Sequence, residues 1–133
     1  MCWLIYGALQ GDVEAEALNA VNSRHDCRIA QGTRHAMKMA ILDESMDYRV
    51  NDGWCDCNSA IGMHDPNAEE VLDMAALIGE ACALDGARTL SFCKTWRTDR
   101  CKREQSLKRS EVDLRQLLAD LQPKTLYTLS CKE

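Results

Sequence analysis

Long apolar runs are missing from this sequence, whose purely apolar stretches extend only a few residues, so it holds no candidate membrane span. Internal repeats, low-complexity tracts and linkers are also absent. No Gly-x-Gly-x-x-Gly and no Walker-type phosphate loop occurs, which leaves the common nucleotide-binding folds without sequence support. Ser59 lacks the Gly-x-Ser-x-Gly context of a nucleophile elbow. The opening Met1-Cys2-Trp3-Leu4-Ile5-Tyr6-Gly7 carries no basic region and no cleavage site, so a secretory leader is not expected there. Basic charge is not in excess either. With 16 Lys and Arg against 21 Asp and Glu, the net charge is −5, and extended nucleic acid is not an expected partner.

What remains is the composition of a globular protein. The 133 residues, 46% hydrophobic and 28% charged, suit one compact domain spanning 1–133 that needs no disulfide staples. The oddity is eight cysteines, at 2, 27, 55, 57, 82, 93, 101 and 131. Without a leader the expected location is the cytoplasm, where thiols stay reduced or serve metal or redox chemistry. Cys82, beside Ala81 and Ala83 on a helical pattern, and Cys27, opening an apolar strand, read as small core hydrophobes.

Periodicity divides the chain into alternating elements. Trp3 to Leu9 reads as a strand, stopped by Gly11-Asp12. Asp12 is a candidate cap for a helix to about Arg24, with Val13, Ala17, Leu18 and Val21 on one stripe. Cys27 to Gln31 reads as a second strand. Residues 33–44 alternate like a strand at Met37, Met39 and Ile41, but are rich in helix formers, and Thr33 before them favours a capped helix. Tyr48 to Val50 reads as a short strand. Asp65-Pro66 is the expected start of a helix carrying Val71, Met74, Ala75, Ile78 and Cys82 and ending at Gly86. Arg88 to Arg97 is a strong strand, with Leu90, Phe92 and Trp96 on one face, Lys94 interrupting them, and Ser91, Cys93 and Thr95 on the other. A turn-rich basic stretch follows. Ser110 is then expected to cap a helix bearing Leu114, Leu117, Leu118 and Leu121, and Thr125 to Cys131 closes the chain as a strand. Such alternation predicts an α/β sandwich, a mixed sheet of about five strands covered by helices.

Two segments stand out as carriers of function. The first is 51–65, fifteen residues without periodicity, a length at which loops are usually functional or mobile. It holds Cys55-Asp56-Cys57 and His64. Two cysteines one residue apart reach a single metal ion, and zinc takes four N or S ligands, so Cys93, Cys101 and His64 are the expected completing ligands. The alternative is thiol chemistry, with Cys55 or Cys57 as nucleophile or redox pair, His64 as base, and the helix N-terminus favouring a thiolate. Asp56 opposes that thiolate. The bland reading is two inert thiols in a loop plugged onto the core by Trp54 and Ile61.

The second segment, 88–109, carries +6 while the remainder carries −11. Lys94, Arg97, Arg100, Lys102 and Arg103, with Trp96 as a stacking surface, form an expected anion or partner site. The acidic remainder points to an acidic protein or a small phosphorylated ligand. The simpler reading is a solvated segment balancing acidic helices. Lone His25 and His35 near element ends read as surface or capping groups, and Met37, Met39 and Met74 as core filling. The expected function is therefore a small cytoplasmic binding or regulatory module with a cysteine-rich, zinc-competent loop. A thiol-dependent redox protein or enzyme is the alternative.

Overall fold

In the computed structural model, which describes residues 2–132, one five-stranded sheet runs through the molecule in the order β2-β1-β3-β5-β4. The elements are β1 (Trp3–Gly11), α1 (Ala15–Asn22), β2 (Ala30–Gln31), α2 (Arg34–Leu42), α3 (Glu69–Cys82), β3 (Ala87–Trp96), β4 (Arg103–Lys108), α4 (Leu114–Ala119) and β5 (Thr125–Ser130). β1 and β2 are parallel neighbours joined through α1, and β4 and β5 are parallel neighbours joined through α4. β3 runs antiparallel to both β1 and β5 at the centre. The sheet is therefore mixed, as the alternation of elements predicts. A parallel neighbour needs a crossover segment, and here each crossover carries a helix.

Apolar side chains alternate between the two faces. Ile5, Leu9, Leu90, Phe92 and Leu129 meet Leu18 and Val21 of α1, Met74 and Ile78 of α3, and Leu114 and Leu118 of α4. Leu4, Tyr6, Ala8, Cys93 and Leu126 meet Met37 and Ile41 of α2 on the other face. Each fully buried Leu or Ile contributes about 1.5–3 kcal/mol, so the larger face dominates stability. Thr33 caps α2 as expected, its Oγ1 accepting from the Ala36 N–H at 3.0 Å, and 34–42 is helix.

Several expected boundaries move. Asp12 does not cap α1; its N–H donates to the Gly86 carbonyl at 3.1 Å, and the helix begins at Ala15. Gly86 holds φ +85°, and a Cβ there would lie 1.9 Å from the Asp12 carbonyl oxygen, so only glycine permits this crossing. Asp65 bonds the Asn67 N–H instead of capping, Pro66 lies in a turn, and α3 begins at Glu69. The cap of α4 is Asp113, which accepts from the Arg115 and Gln116 N–H groups, while Ser110 sits in a 3₁₀ turn, Arg109–Glu111. The expected strand at Cys27–Gln31 shrinks to Ala30–Gln31, and Tyr48–Val50 makes only a bridge, Arg49 to Tyr6. Conversely, the basic stretch read as turns contains β4. As the outer strand beside β5, it is exposed along most of its length and needs no apolar alternation, so it left no hydrophobic signal.

Candidate functional site

The candidate site forms where the 51–65 loop closes over the first half of β1. That edge of β1 is covered by β2 only at Ala8 and Leu9, so the N–H groups before them require other partners. The loop and the bridge segment supply them. The Gly7 N–H donates to the Tyr48 carbonyl at 3.0 Å, the Ile5 N–H to Asp56 Oδ2 at 2.8 Å, and the Trp3 N–H to Cys57 Sγ at 3.4 Å. In return, the Asp56 N–H donates to the Trp3 carbonyl at 2.8 Å. Asp56 thus acts as an extra rung of the sheet, and the cysteines on either side of it are held against the start of β1.

The carboxylate of Asp56 is buried and fully engaged. Arg49 Nη2 lies 3.1 Å from Oδ2, and Asn51 Nδ2 donates to Oδ1 at 2.9 Å. Farther along the loop, Glu70 accepts from Ser59 Oγ and the Ala60 N–H, and Lys94 donates to the Ile61 carbonyl at 2.7 Å. Arg49, Asp56, Glu70 and Lys94, four buried or half-buried ionic groups, therefore fix a fifteen-residue segment that has almost no secondary structure of its own.

Cys2 reaches the same place from the chain start. Trp3 and Trp96 face each other across β1 and β3 with an edge-on ring contact at 5.0 Å, and the Arg97 N–H donates to the Cys2 carbonyl at 3.0 Å. The result is a group of three sulfurs, Cys2, Cys55 and Cys57, all within 4.8 Å of one another. Cys2 and Cys55 are half-buried and Cys57 is exposed. The Cys57 N–H and the thiols of Cys57 and Cys2 all donate to Cys55, which lowers its thiol pKa below the ordinary value. Cys2, as a donor to Cys55, is pushed up.

The other expected ligands lie elsewhere. Cys93, fully buried under α2, donates its thiol to Cys101, so these two form a separate pair; Cys55 packs at the border of the same apolar cluster. Burial adds to the upward shift of Cys93, whereas the thiol it donates lowers Cys101. His64 is exposed and pairs with Asp120 at 2.8 Å. The start of α3, at Glu69, comes twelve residues after Cys57, and its first turn holds Glu69 and Glu70. A third thiol pair, Cys82 and Cys131, has its sulfurs 2.8 Å apart.

The basic window is dispersed. Lys94 is buried beneath the loop, and burial lowers its pKa. Trp96 packs on Trp3 and lies under Lys124 Nζ. Arg97 donates to the Trp54 carbonyl on the loop. Arg100 lines a groove with Cys101, His35 and Lys38, the Lys102 N–H bonds the Lys124 carbonyl, and Arg103 opens β4. His25, expected at the surface, is instead enclosed between Asp73 and Glu80.

Sequence reasoning missed Cys2, because its proximity to Cys55 is created by β1 pairing and not by local spacing. It also took Asp56 for an electrostatic obstacle to a thiolate, where its carboxylate is spent on Arg49 and β1. The signal available was an acidic residue between two cysteines in a loop that also follows a basic Arg49. Among the described residues, no helix is long and apolar enough to cross a membrane. Compared with known proteins, the chain matches no family, no curated protein and no solved structure.

Proposed function

We propose that this chain is a small cytoplasmic binding module in which Cys2, Cys55 and Cys57 hold one thiophilic metal ion, with zinc the first candidate. The observation supporting this reading is the convergence of three sulfurs within 4.8 Å, Cys2 from the chain start and Cys55 and Cys57 from the loop, against a backbone edge held by Asp56. Thiolates around zinc, at a Zn–S distance of about 2.3 Å, sit about 3.8 Å apart, so small side-chain rotations suffice. Three protein ligands leave a fourth position for water or a partner's side chain. The N–H groups of Trp3 and Cys57, which donate to Cys57 and Cys55, would orient the sulfurs as outer-shell donors do in metal sites. Arg100, Lys102 and Arg103, on and beside the exposed edge strand β4, are the surface on which an acidic partner would approach.

Elemental analysis of protein purified without chelators tests this reading. It expects one zinc per chain, released by a chelator with loss of thermal stability. Metal-free protein with unchanged stability in chelator would contradict it. A second reading, a thiol nucleophile, is favoured by the place of Cys55, half-buried beside the sulfurs of Cys57 and Cys2, where hydrogen bonding to Cys57 and Cys2 holds its thiol below the ordinary pKa. Rapid alkylation of Cys55 in protein that never held metal would favour that reading over the first.

A further inference from the structure

Cys93 and Cys101 meet where the connection from β3 to β4 doubles back. The connection is fixed on both sides of Cys101. Thr95 Oγ1 donates to the Asp99 carbonyl at 3.1 Å, the Asp99 N–H to the Trp96 carbonyl at 2.9 Å, and the Lys102 N–H to the Lys124 carbonyl at 2.8 Å. Cys93 of β3 is fully buried and packs with Met37, Ile41 and Leu126 under α2. Cys101 lies against the same cluster, hydrogen-bonded to Cys93, and is only half-buried. One thiol of the pair is therefore sealed in the core and the other reaches the surface.

Cys101 also lines a groove of about 370 Å³ between α2 and the start of β4, at the lower end of the range of small-molecule sites. Met39 and Leu42 of α2 supply apolar wall. Lys38 and Arg100 line the groove with Glu104, and Glu104 is paired with both Lys38, at 3.1 Å, and Arg34. Three cations thus face one carboxylate, with His35 in the same wall. Asp99, the other carboxylate that acts on Cys101, has its own partner in Lys124 at 3.1 Å. The groove is therefore a place for an anionic small molecule. The hydrogen bond with Cys93 lowers the Cys101 thiol pKa and outweighs its burial, and Lys38 adds to the lowering. The same hydrogen bond, together with burial, raises Cys93. The thiol richer in thiolate is thus the one that faces the groove.

We infer that Cys101 and Cys93 form a thiol–disulfide exchange site whose substrate is an anionic low-molecular-weight disulfide bound in this groove. The Cys101 thiolate attacks one sulfur of the substrate, whose S–S bond breaks. A mixed disulfide forms on Cys101, and the first substrate thiol leaves with the proton that Cys101 gave up. Cys93, on the buried side of Cys101, then loses its proton and attacks the Cys101 sulfur. The second substrate thiol leaves with that proton, and a Cys93–Cys101 disulfide remains. Two protein thiols are oxidised, and one disulfide is reduced to two thiols. Once Cys101 is held in the mixed disulfide, the hydrogen bond that raises Cys93 most is gone, which eases its deprotonation. This pair is separate from the three-sulfur group and needs no metal.

Oxidised glutathione is the anionic probe, and cystamine, a cationic disulfide, is its counterpart. Incubation of the reduced protein with oxidised glutathione, followed by peptide mapping, should recover the Cys93–Cys101 link, with two glutathione molecules released per link. Cys93→Ala, which keeps the buried position small and apolar, should stop the sequence with one glutathione held on Cys101. Cys101→Ser should leave Cys93 unmodified, since Cys93 has no access of its own. With each rate taken relative to that of a small free thiol, Cys101 should react at least about tenfold faster with oxidised glutathione than with cystamine. The double variant Lys38→Gln/Arg100→Gln should remove most of that preference. Absence of the 93–101 link, glutathione on Cys57 but not on Cys101 in Cys93→Ala, modification of Cys93 in Cys101→Ser, or equal relative rates for the two disulfides would overturn the assignment.

Discussion

Arg49 and Asp56 form an ion pair at 3.1 Å with side chains only 2% and 3% exposed, and through it the cysteine loop is tied to β1. Asp56 simultaneously accepts from the Ile5 N–H and Asn51. Removing one partner of a buried pair leaves the other charge uncompensated, at a cost of about 3–5 kcal/mol. Asp56→Ala is therefore expected to lose that much stability in urea denaturation, a large share of what a small domain has. Asp56→Asn, which keeps acceptors for Ile5, should lose less. A loss under about 1 kcal/mol in the alanine variant would show that the pair does not hold the loop.

The sulfurs of Cys82 and Cys131 lie 2.8 Å apart, joining the end of α3 to the residue after β5. The hydrogen bond between the two thiols lowers the Cys131 thiol pKa and, together with burial, raises that of Cys82. Treatment with hydrogen peroxide should join them: each thiol loses its proton and one electron, an S–S bond forms, and peroxide is reduced to two waters. Closing a loop of this length adds about 4 kcal/mol at most in the chain-entropy account. Peptide mapping should recover the 82–131 link, and its thermal midpoint should exceed that of Cys131→Ser under the same oxidant. Recovery of both thiols free after oxidation would contradict the pairing.

His25 bridges Asp73 and Glu80 at 2.8 Å each, fastening the end of α1 to α3. Burial raises the Asp73 carboxyl, but hydrogen bonds from His25, Cys27 and the Asp26 N–H outweigh it and hold it below the usual range. Glu80 is lowered by its hydrogen bond from Arg24 and then by His25. A depressed carboxylate contributes stability that is complete above its unfolded pKa of about 4 and is lost as pH falls through the lower folded value. Urea midpoints should therefore drop between about pH 5 and pH 2, less steeply in Asp73→Asn than in the natural sequence. Parallel profiles for the two would remove Asp73 from the acid response.

The α/β sandwich was legible because α2 and α3 each bury one stripe at helical spacing, while β1, β3 and β5, buried on both faces, read as short runs rich in apolar and β-branched residues. β4 was not legible, since an edge strand reading Arg103-Glu104-Gln105-Ser106-Leu107-Lys108 is stabilised by pairing with β5 and not by an apolar face. Helix starts moved wherever an Asp found a different partner, as Asp65 did in bonding Asn67 locally. Of the candidate site, the pairing of Cys55 with Cys57 was readable from spacing. The third sulfur was not, because Cys2 arrives through long-range strand pairing that no local pattern records.

The central claim is that Cys2, Cys55 and Cys57 act as one soft-metal site. Cd(II) titration of the reduced protein, followed by ultraviolet thiolate-to-metal absorption, tests it most directly when run on single Ser variants of these three and on Cys93→Ser/Cys101→Ser. The account predicts one tightly held ion per chain, weakened sharply by each of Cys2→Ser, Cys55→Ser and Cys57→Ser and retained in the double variant. Tight binding that survives Cys2→Ser, or that disappears in Cys93→Ser/Cys101→Ser, would contradict it.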